Sequence, residues 1–157
     1  MRRRLFPIAL FLALSAAALL SAKDFSLKGS RIGLEFGNPA GVIIYRPGSF
    51  DFKLGYNFVS GNQFVFLSGD YRIISGYQLV DFLHFFLGAG AYTQVYLESR
   101  DDGQFNLGAR LPFGLQAFLF DTTLEVFLEL VPTINFFPSI TAFQDFQGWL
   151  GFTILLK

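Results

Sequence analysis

The chain carries few side chains of the kinds that perform catalysis. Its 157 residues include one histidine, His84, and no cysteine. A histidine beside Ser68, Ser75, Asp70 or Asp81 would suit nucleophilic or acid–base chemistry. The sequence around these residues matches no catalytic motif, and a polar residue at the start of a strand is the simpler interpretation of His84. We therefore expect a protein that is not an enzyme.

A second candidate is the pair of carboxylates Glu125 and Glu129, which lie four residues apart in an alternating segment. Two carboxylates on one face are the side chains that general acid–base catalysis uses. Arg110 lies on the neighbouring predicted strand, and a structural ion pair with it is the preferred interpretation. The spacings typical of zinc, EF-hand and phosphate-loop sites do not occur, so we expect no metal and no cofactor.

The elements that hold these residues follow from the hydrophobic periodicity. In 107–119 the odd positions are Leu or other apolar residues, and the even positions carry glycine, Arg110 and Gln116. The segment 124–136 repeats this period of two, which is typical of a strand rather than a helix. The segment 41–46 is β-branched, but its pattern assigns neither face.

Similar alternation along the rest of the chain predicts eight strands without a helix between them. Their joints contain turn-forming residues, including Pro47-Gly48-Ser49, Ser60-Gly61-Asn62 and Ser75-Gly76. An even number of sequential antiparallel strands predicts an all-β fold, an eight-stranded up-and-down transmembrane β-barrel. The predicted strands are 29–37, 41–46, 51–59, 63–74, 82–97, 104–120, 124–136 and 143–157.

The distribution of charge indicates which face of the barrel points inward. Eight charged residues fall inside the strands, all in the glycine-rich row, whereas the large apolar rows carry none. Four are positive and four negative, as expected for ion pairs in a narrow lumen beneath a lipid-facing exterior. Arg46 and Asp51 are assigned to strand ends, and Trp149 to filling of the lumen. The predicted lumen network comprises Arg31, Glu35, Lys53, Asp70, Arg72, Arg110, Glu125 and Glu129.

The first 22 residues have the layout of a secretory signal peptide: three arginines, an apolar stretch and small residues before the predicted cleavage site. An uncleaved N-terminal anchor is the alternative. Cleavage would leave a barrel domain at 23–157 with 9 basic and 12 acidic residues, a net charge of −3, which argues against nucleic-acid binding. Beyond this stretch no apolar run approaches the ~20 residues of a membrane-spanning helix.

Several segments resemble the small outer-membrane β-barrel proteins of diderm bacteria, the OmpX-like, OmpW-like and OmpA-barrel-like group. The resemblance covers about residues 28–157. It implies export, assembly in the outer membrane and contact with outer-membrane lipids. The segments that carry it are FGNPAG at 36–41, FDFKLGYNFV at 50–59, LGARLPFGLQAFLF at 107–120 and LEVFLELVP at 124–132.

We therefore expect a monomeric, structural outer-membrane barrel whose loops are available to an extracellular or host partner. One alternative is an OmpW-like channel for small apolar molecules, and another is a soluble periplasmic lipid carrier of the lipocalin type. If the N-terminus is periplasmic, the most distinctive exterior loops are 98–103 and 136–146. The candidate loop residues are Glu98, Arg100, Asp101, Asp102, Ser139, Phe143 and Asp145.

Overall fold

A computed structural model describes residues 29–38, 41–61, 63–97, 104–142 and 146–156. The predicted signal peptide, 1–22, lies outside the described residues. Within the described ranges, no helix is long and apolar enough to cross a membrane.

Every regular element in the described part of the chain is a strand. Alternating apolar and polar residues favour this conformation because successive side chains of a strand point to opposite faces. The strands are β1 (Ser30–Asn38), β2 (Gly41–Pro47), β3 (Phe50–Asn57), β4 (Phe64–Val80), β5 (Leu83–Tyr96), β6 (Phe105–Arg110), β7 (Phe113–Leu119), β8 (Leu124–Val131), β9 (Thr133–Phe137), β10 (Thr141–Ala142) and β11 (Gln147–Leu156).

These segments form the eight strands of a closed antiparallel barrel. Consecutive strands pair from β1 to β5, and β5 then pairs with both β6 and β7. We call each of the eight strands of the barrel a wall strand, and some of them consist of two segments. The wall strand after β6 and β7 is made of β8 and β9, and the last one is made of β10 and β11. The barrel closes where β11 pairs with β1, from Ser30 opposite Leu156 to Asn38 opposite Gly148.

Prolines divide two of the wall strands at neighbouring positions. Pro112 follows β6 and Pro132 follows β8, and neither residue has a backbone N–H to donate to the sheet. Their carbonyl groups keep the wall joined: Leu111 N donates to Pro132 O at 3.1 Å, and Gly88 N donates to Pro112 O at 2.7 Å. The wall therefore stays hydrogen-bonded across both breaks.

The predicted all-β, eight-stranded antiparallel barrel is confirmed, but one of the predicted turns is in the wrong place. The sequence predicts that the fourth strand ends before Ser75 and Gly76, but β4 continues through them to Val80. Three register shifts against β5, between Arg72 and Val80, absorb the irregular stretch. The glycine and serine therefore accompany bulges within a long strand rather than a reversal of the chain.

The antiparallel order separates two ends of the barrel. The last residues of β1, β3, β5 and β9 lie at one end of the barrel, which we call the loop end. The turns that follow β2, β4 and β7 lie at the other, the terminal end, together with the start of β1 and the end of β11.

The two faces of the wall differ in chemistry. Side chains with large exposed apolar surfaces occur on the outer face of every wall strand, for example Leu34, Ile43, Leu54, Leu128 and Leu150. Inward side chains fill the interior with charged groups, amides and aromatic rings. Among the inward aromatic side chains, Phe64, Phe66, Tyr92 and Trp149 pack in one cluster with Val42 and Val131.

Candidate functional site

The candidate site is the ionic interior of the barrel. All ten charged residues in the described strands are buried, with at most 3% of their surface exposed. The only other charged residues that the structure describes, Asp81 and Asp121, are exposed in turns at the terminal end. The ten comprise the eight residues predicted for the lumen, together with Arg46 and Asp51.

Five of these residues form the terminal-end cluster: Arg31, Arg46, Asp51, Arg72 and Glu125. Arg46 donates hydrogen bonds to both Asp51 and Glu125. Arg72 Nε donates to Asp51 Oδ2 at 3.0 Å, and Arg31 Nε lies 3.3 Å from Glu125 Oε2. The two carboxylates thus hold three guanidinium groups that would otherwise repel one another.

Neutral groups complete the terminal-end cluster. The hydroxyl of Thr153 donates to Glu125 Oε2 at 2.5 Å and accepts from Arg31 Nε at 2.9 Å. Gln116 Oε1 accepts a hydrogen bond from Arg72 at 2.5 Å. Arg31 also donates to the carbonyl oxygen of Thr122 at 2.8 Å, which ties the cluster to the turn between β7 and β8.

The other five residues form the central cluster: Glu35, Lys53, Asp70, Arg110 and Glu129. The ammonium group of Lys53 lies 2.6 Å from Glu129 Oε1 and 3.0 Å from Glu35 Oε1. Arg110 donates to the same Glu129 oxygen at 2.8 Å, and its Nε lies 3.2 Å from Asp70 Oδ1. Glu129 is therefore the acceptor shared by both cations of this cluster.

The two clusters carry opposite excess charge. The terminal-end cluster has three cations and two carboxylates, a formal net charge of +1, and the central cluster has two cations and three carboxylates, a formal net charge of −1. Together they sum to zero. Asp51 and Asp70 are cross-strand partners on β3 and β4, so the clusters are adjacent along the barrel. This balance suits an interior in which an uncompensated charge would be costly.

Guanidinium groups in the lumen also contact aromatic rings. Arg72 lies over Phe86 with 4.3 Å from its guanidinium carbon to the ring centroid, and Arg46 lies over Phe127 at 5.4 Å. Arg110 has the same relation to Phe66 at 5.5 Å. Each of these three arginines therefore has a cation–π contact in addition to its carboxylate partners. The rings also occupy interior volume that water would otherwise fill.

Glu125 and Glu129 do not act on one site. Glu129 forms an ion pair with Arg110, whereas Glu125 forms ion pairs with Arg31, Arg46 and Arg72. Because both carboxylates are buried and bound to cations, their geometry is that of structural ion pairs. The sequence pattern places both in the lumen but does not separate them into two clusters.

His84 is inward-facing and nearly buried, with 8% exposure. Its ring meets Phe118 edge-on, with centroids 5.3 Å apart. Two of the side chains considered as its catalytic partners contact Arg110 instead: Ser68 accepts a hydrogen bond at 3.0 Å, and Asp70 forms the ion pair given above. A third, Asp81, is exposed in the turn after β4.

Arg46 and Asp51 lie next to strand ends, as predicted, but both side chains are buried inside the barrel and belong to the lumen network, to which the sequence prediction did not assign them. Asp51 had a usable signal, because it lies two residues before Lys53 and therefore in the same inward row. Arg46 had a weaker one. Its strand carries Val42 and Ile44 on the inner face, so the apolar run conceals the alternation.

Most of the candidate loop residues fall in segments that the structure does not describe. These are Glu98, Arg100, Asp101, Asp102, Phe143 and Asp145. Ser139 is described and exposed in the bend after β9, at the loop end. Trp149 is buried, with its ring centroid 6.0 Å from that of Phe66, and it occupies the interior.

No family model, curated protein or solved structure matches the chain.

Proposed function

We propose that this chain is an integral β-barrel protein of the bacterial outer membrane, with a sealed interior and a structural, non-enzymatic role. The observation that carries the proposal is the inverted distribution of polarity. Every charged side chain of the described strands lies inside, and the outer face of the described strands carries large exposed apolar side chains and no charge. A water-soluble barrel has the opposite arrangement, because charged groups favour water and apolar groups avoid it.

The size of the outer face supports this placement. Strand β11 has ten residues, from Gln147 to Leu156, and exposes Leu150, Phe152, Ile154 and Leu156 on one row. Membrane-spanning strands need about 9–11 residues when they are tilted by about 45°. A charge-free outer row of this length therefore suits the hydrocarbon thickness of a bilayer.

Exposed aromatic side chains near both ends also support a membrane position. Near the loop end, Phe105 and Phe137 stack with ring centroids 4.5 Å apart. Near the terminal end, Phe50 and Tyr71 lie 5.2 Å apart, and Phe120 is exposed in a turn. Aromatic residues are enriched at the two interfaces of outer-membrane barrels.

The packed interior favours a structural role over a channel or a lipid carrier. The ionic side chains leave almost no surface for a water-sized molecule, and Phe66, Phe86 and Phe127 fill the space beside them. A lipid carrier of the lipocalin type needs an apolar cavity, but the interior here is lined with ten charges. A rigid, sealed cylinder is suited to presenting its loops to an extracellular or host partner.

The proposal is tested by expressing the full chain with its own N-terminal segment in a diderm bacterium. We expect recovery in the outer-membrane fraction, resistance to carbonate extraction and faster gel migration before boiling than after it. Recovery of the chain in the soluble periplasmic fraction would overturn the proposal in favour of a soluble carrier. Release of the chain from the membranes by carbonate would do the same.

A further inference from the structure

Strand β4 runs past its neighbour β3 at the terminal end of the barrel. Its pairing with β3 ends at Tyr71, and the last backbone contact on that side is the hydrogen bond from Arg72 N to Ser49 O at 2.8 Å. β4 continues to Val80, where it pairs only with β5. No described strand pairs with the other side of residues 73–80, which we call the free edge.

The composition of the free edge suits a strand that takes a partner. Its sequence, IISGYQLV, contains no charged residue and no proline, two kinds of residue that keep sheet edges from pairing. The side chains of Ile73, Leu79 and Val80 are exposed, as a membrane surface would allow. Backbone N–H and C=O groups without partners are costly beside a membrane. We therefore expect another strand to cover the free edge.

The chain enters the barrel close to this edge. Gly48 N donates a hydrogen bond to the carbonyl oxygen of Gly29 at 3.3 Å, and the next residue of that turn, Ser49, is bonded to β4. The strand position beside the free edge is two strand spacings from β1, or about 10 Å. After the predicted cleavage, residues 23–28 precede Gly29, and they reach about 20 Å when extended. This length is enough to reach the free edge and to pair about three residues with it.

We propose that residues 23–28 form a short strand that pairs with the free edge of β4. The inference rests on the export and the membrane position proposed above. The segment reads KDFSLK, in which Phe25 and Leu27 alternate with polar residues, as in a strand with one apolar face. Because it leads into β1, it runs in the direction of β1 and β3 and therefore antiparallel to β4. All pairs between the described strands have this antiparallel sense.

Two other occupants suit the free edge less well. A second barrel in the same membrane is inserted in the same orientation, so its own β4 cannot run antiparallel to this one. A peptide from another protein would have to bind from solution. Residues 23–28 are instead held beside the edge by their covalent link to Gly29, which gives them a high effective concentration there.

Two double-cysteine variants test this pairing, because the chain contains no cysteine of its own. The first combines Phe25→Cys with Leu79→Cys, which lies on the free edge. The control combines Phe25→Cys with Leu119→Cys, an exposed position at the end of β7. β4 and β7 are each three strands away from β1, in opposite directions around the barrel. A segment without a preferred partner would therefore reach both positions.

Both full-length variants are expressed in a diderm bacterium, and their outer membranes are treated with a short bis-maleimide cross-linker. Mass spectrometry of the digested chains measures the cross-linked fraction. We expect roughly ten-fold more cross-linking within one chain for the Leu79→Cys variant than for the Leu119→Cys control. Val80→Cys replaces Leu79→Cys if that variant does not insert.

Equal cross-linking of the two variants, or none in either, would overturn the inference. Cross-linking between two chains through position 79 would also overturn it, in favour of a second copy on the free edge. The mass of the purified chain reports cleavage, and heat-modifiable migration reports insertion. An inserted chain that retains residues 1–22, or that shows no preference for position 79, contradicts the added strand alone. A chain that does not insert contradicts the proposed function as well.

Discussion

Glu125 and Glu129 share the inward row of β8 but bind different cations. Glu125 accepts a hydrogen bond from Arg46, 79 residues away in the chain, and Glu129 accepts one from Arg110, 19 residues away. Four residues of extended strand span about 13 Å, which is enough to place the two carboxylates in separate clusters. The interior is therefore made of two ionic units rather than one continuous carboxylate site.

This separation predicts the result of two double-mutant cycles. Arg110→Met and Glu129→Gln should be coupled by more than about 1 kcal/mol, because each change removes the partner of the other. Arg110→Met and Glu125→Gln should be additive within about 0.5 kcal/mol, because these residues belong to different clusters. Urea-induced unfolding in lipid vesicles measures both cycles. Equal coupling in the two cycles would contradict the division into clusters.

Gly151 lies where an inward aromatic ring approaches the wall. An added Cβ would lie 2.5 Å from Phe127 Cζ and 2.7 Å from Glu35 Cβ. We expect Gly151→Ala to destabilise the barrel by about 1–3 kcal/mol, as overpacking does in a filled interior. The control is Gly148→Ala on the same strand, where the nearest atom, in the side chain of Leu130, is 3.8 Å away. A comparison of their unfolding midpoints tests the account, and an equal loss of stability in both variants would refute it.

Leu128 lies near the middle of β8, and its side chain is 49% exposed on the outer face. A substitution there tests whether this face lies in the membrane. If this face meets hydrocarbon, Leu128→Arg should cost about 2–4 kcal/mol or prevent insertion. Asp81→Arg, in an exposed turn at the terminal end, should change stability by less than about 0.5 kcal/mol. Stability in vesicles and the inserted fraction are the measurements. Similar tolerance at both positions would show that the outer face does not require an apolar environment.

The packed lumen predicts little or no ion conductance. Lys53, Glu35 and Glu129 meet across the interior at 2.6–3.0 Å, and all three are at most 2% exposed. The purified chain should therefore give no stable conductance steps in planar bilayers. Lys53→Ala combined with Glu129→Ala removes the centre of this contact and should give measurable current if the variant folds. Steady conductance by the unaltered chain would instead favour the channel alternative.

Much of the architecture could be predicted from alternation within single segments. In 107–119 and 124–136, a strict period of two distinguishes the inner from the outer row, and Arg110, Glu125 and Glu129 fall on the inner one. This works because side-chain direction in a strand is a local property. The eight-strand count follows from the turn residues between such segments.

The pairing inside the lumen could not be predicted in the same way. Which cation meets Glu125 depends on how strands distant in sequence are staggered around the barrel, and a single segment carries no information on that stagger. The inward position of Arg46 is hidden in the sequence because the inner row of β2 is otherwise apolar. The continuation of β4 through Ser75 and Gly76 is hidden because bulges use the same residues as turns.

The most direct test of the inside-out arrangement compares two tryptophans in vesicles containing brominated phospholipids, which quench fluorescence on contact. Trp149 is the only tryptophan of the chain and is 1% exposed inside the barrel. The second protein carries Leu128→Trp together with Trp149→Phe, which places the fluorophore on the outer face. We predict strong quenching at position 128 and weak quenching of Trp149. Strong quenching of Trp149 with none at position 128 would contradict a lipid-facing exterior and an ionic interior.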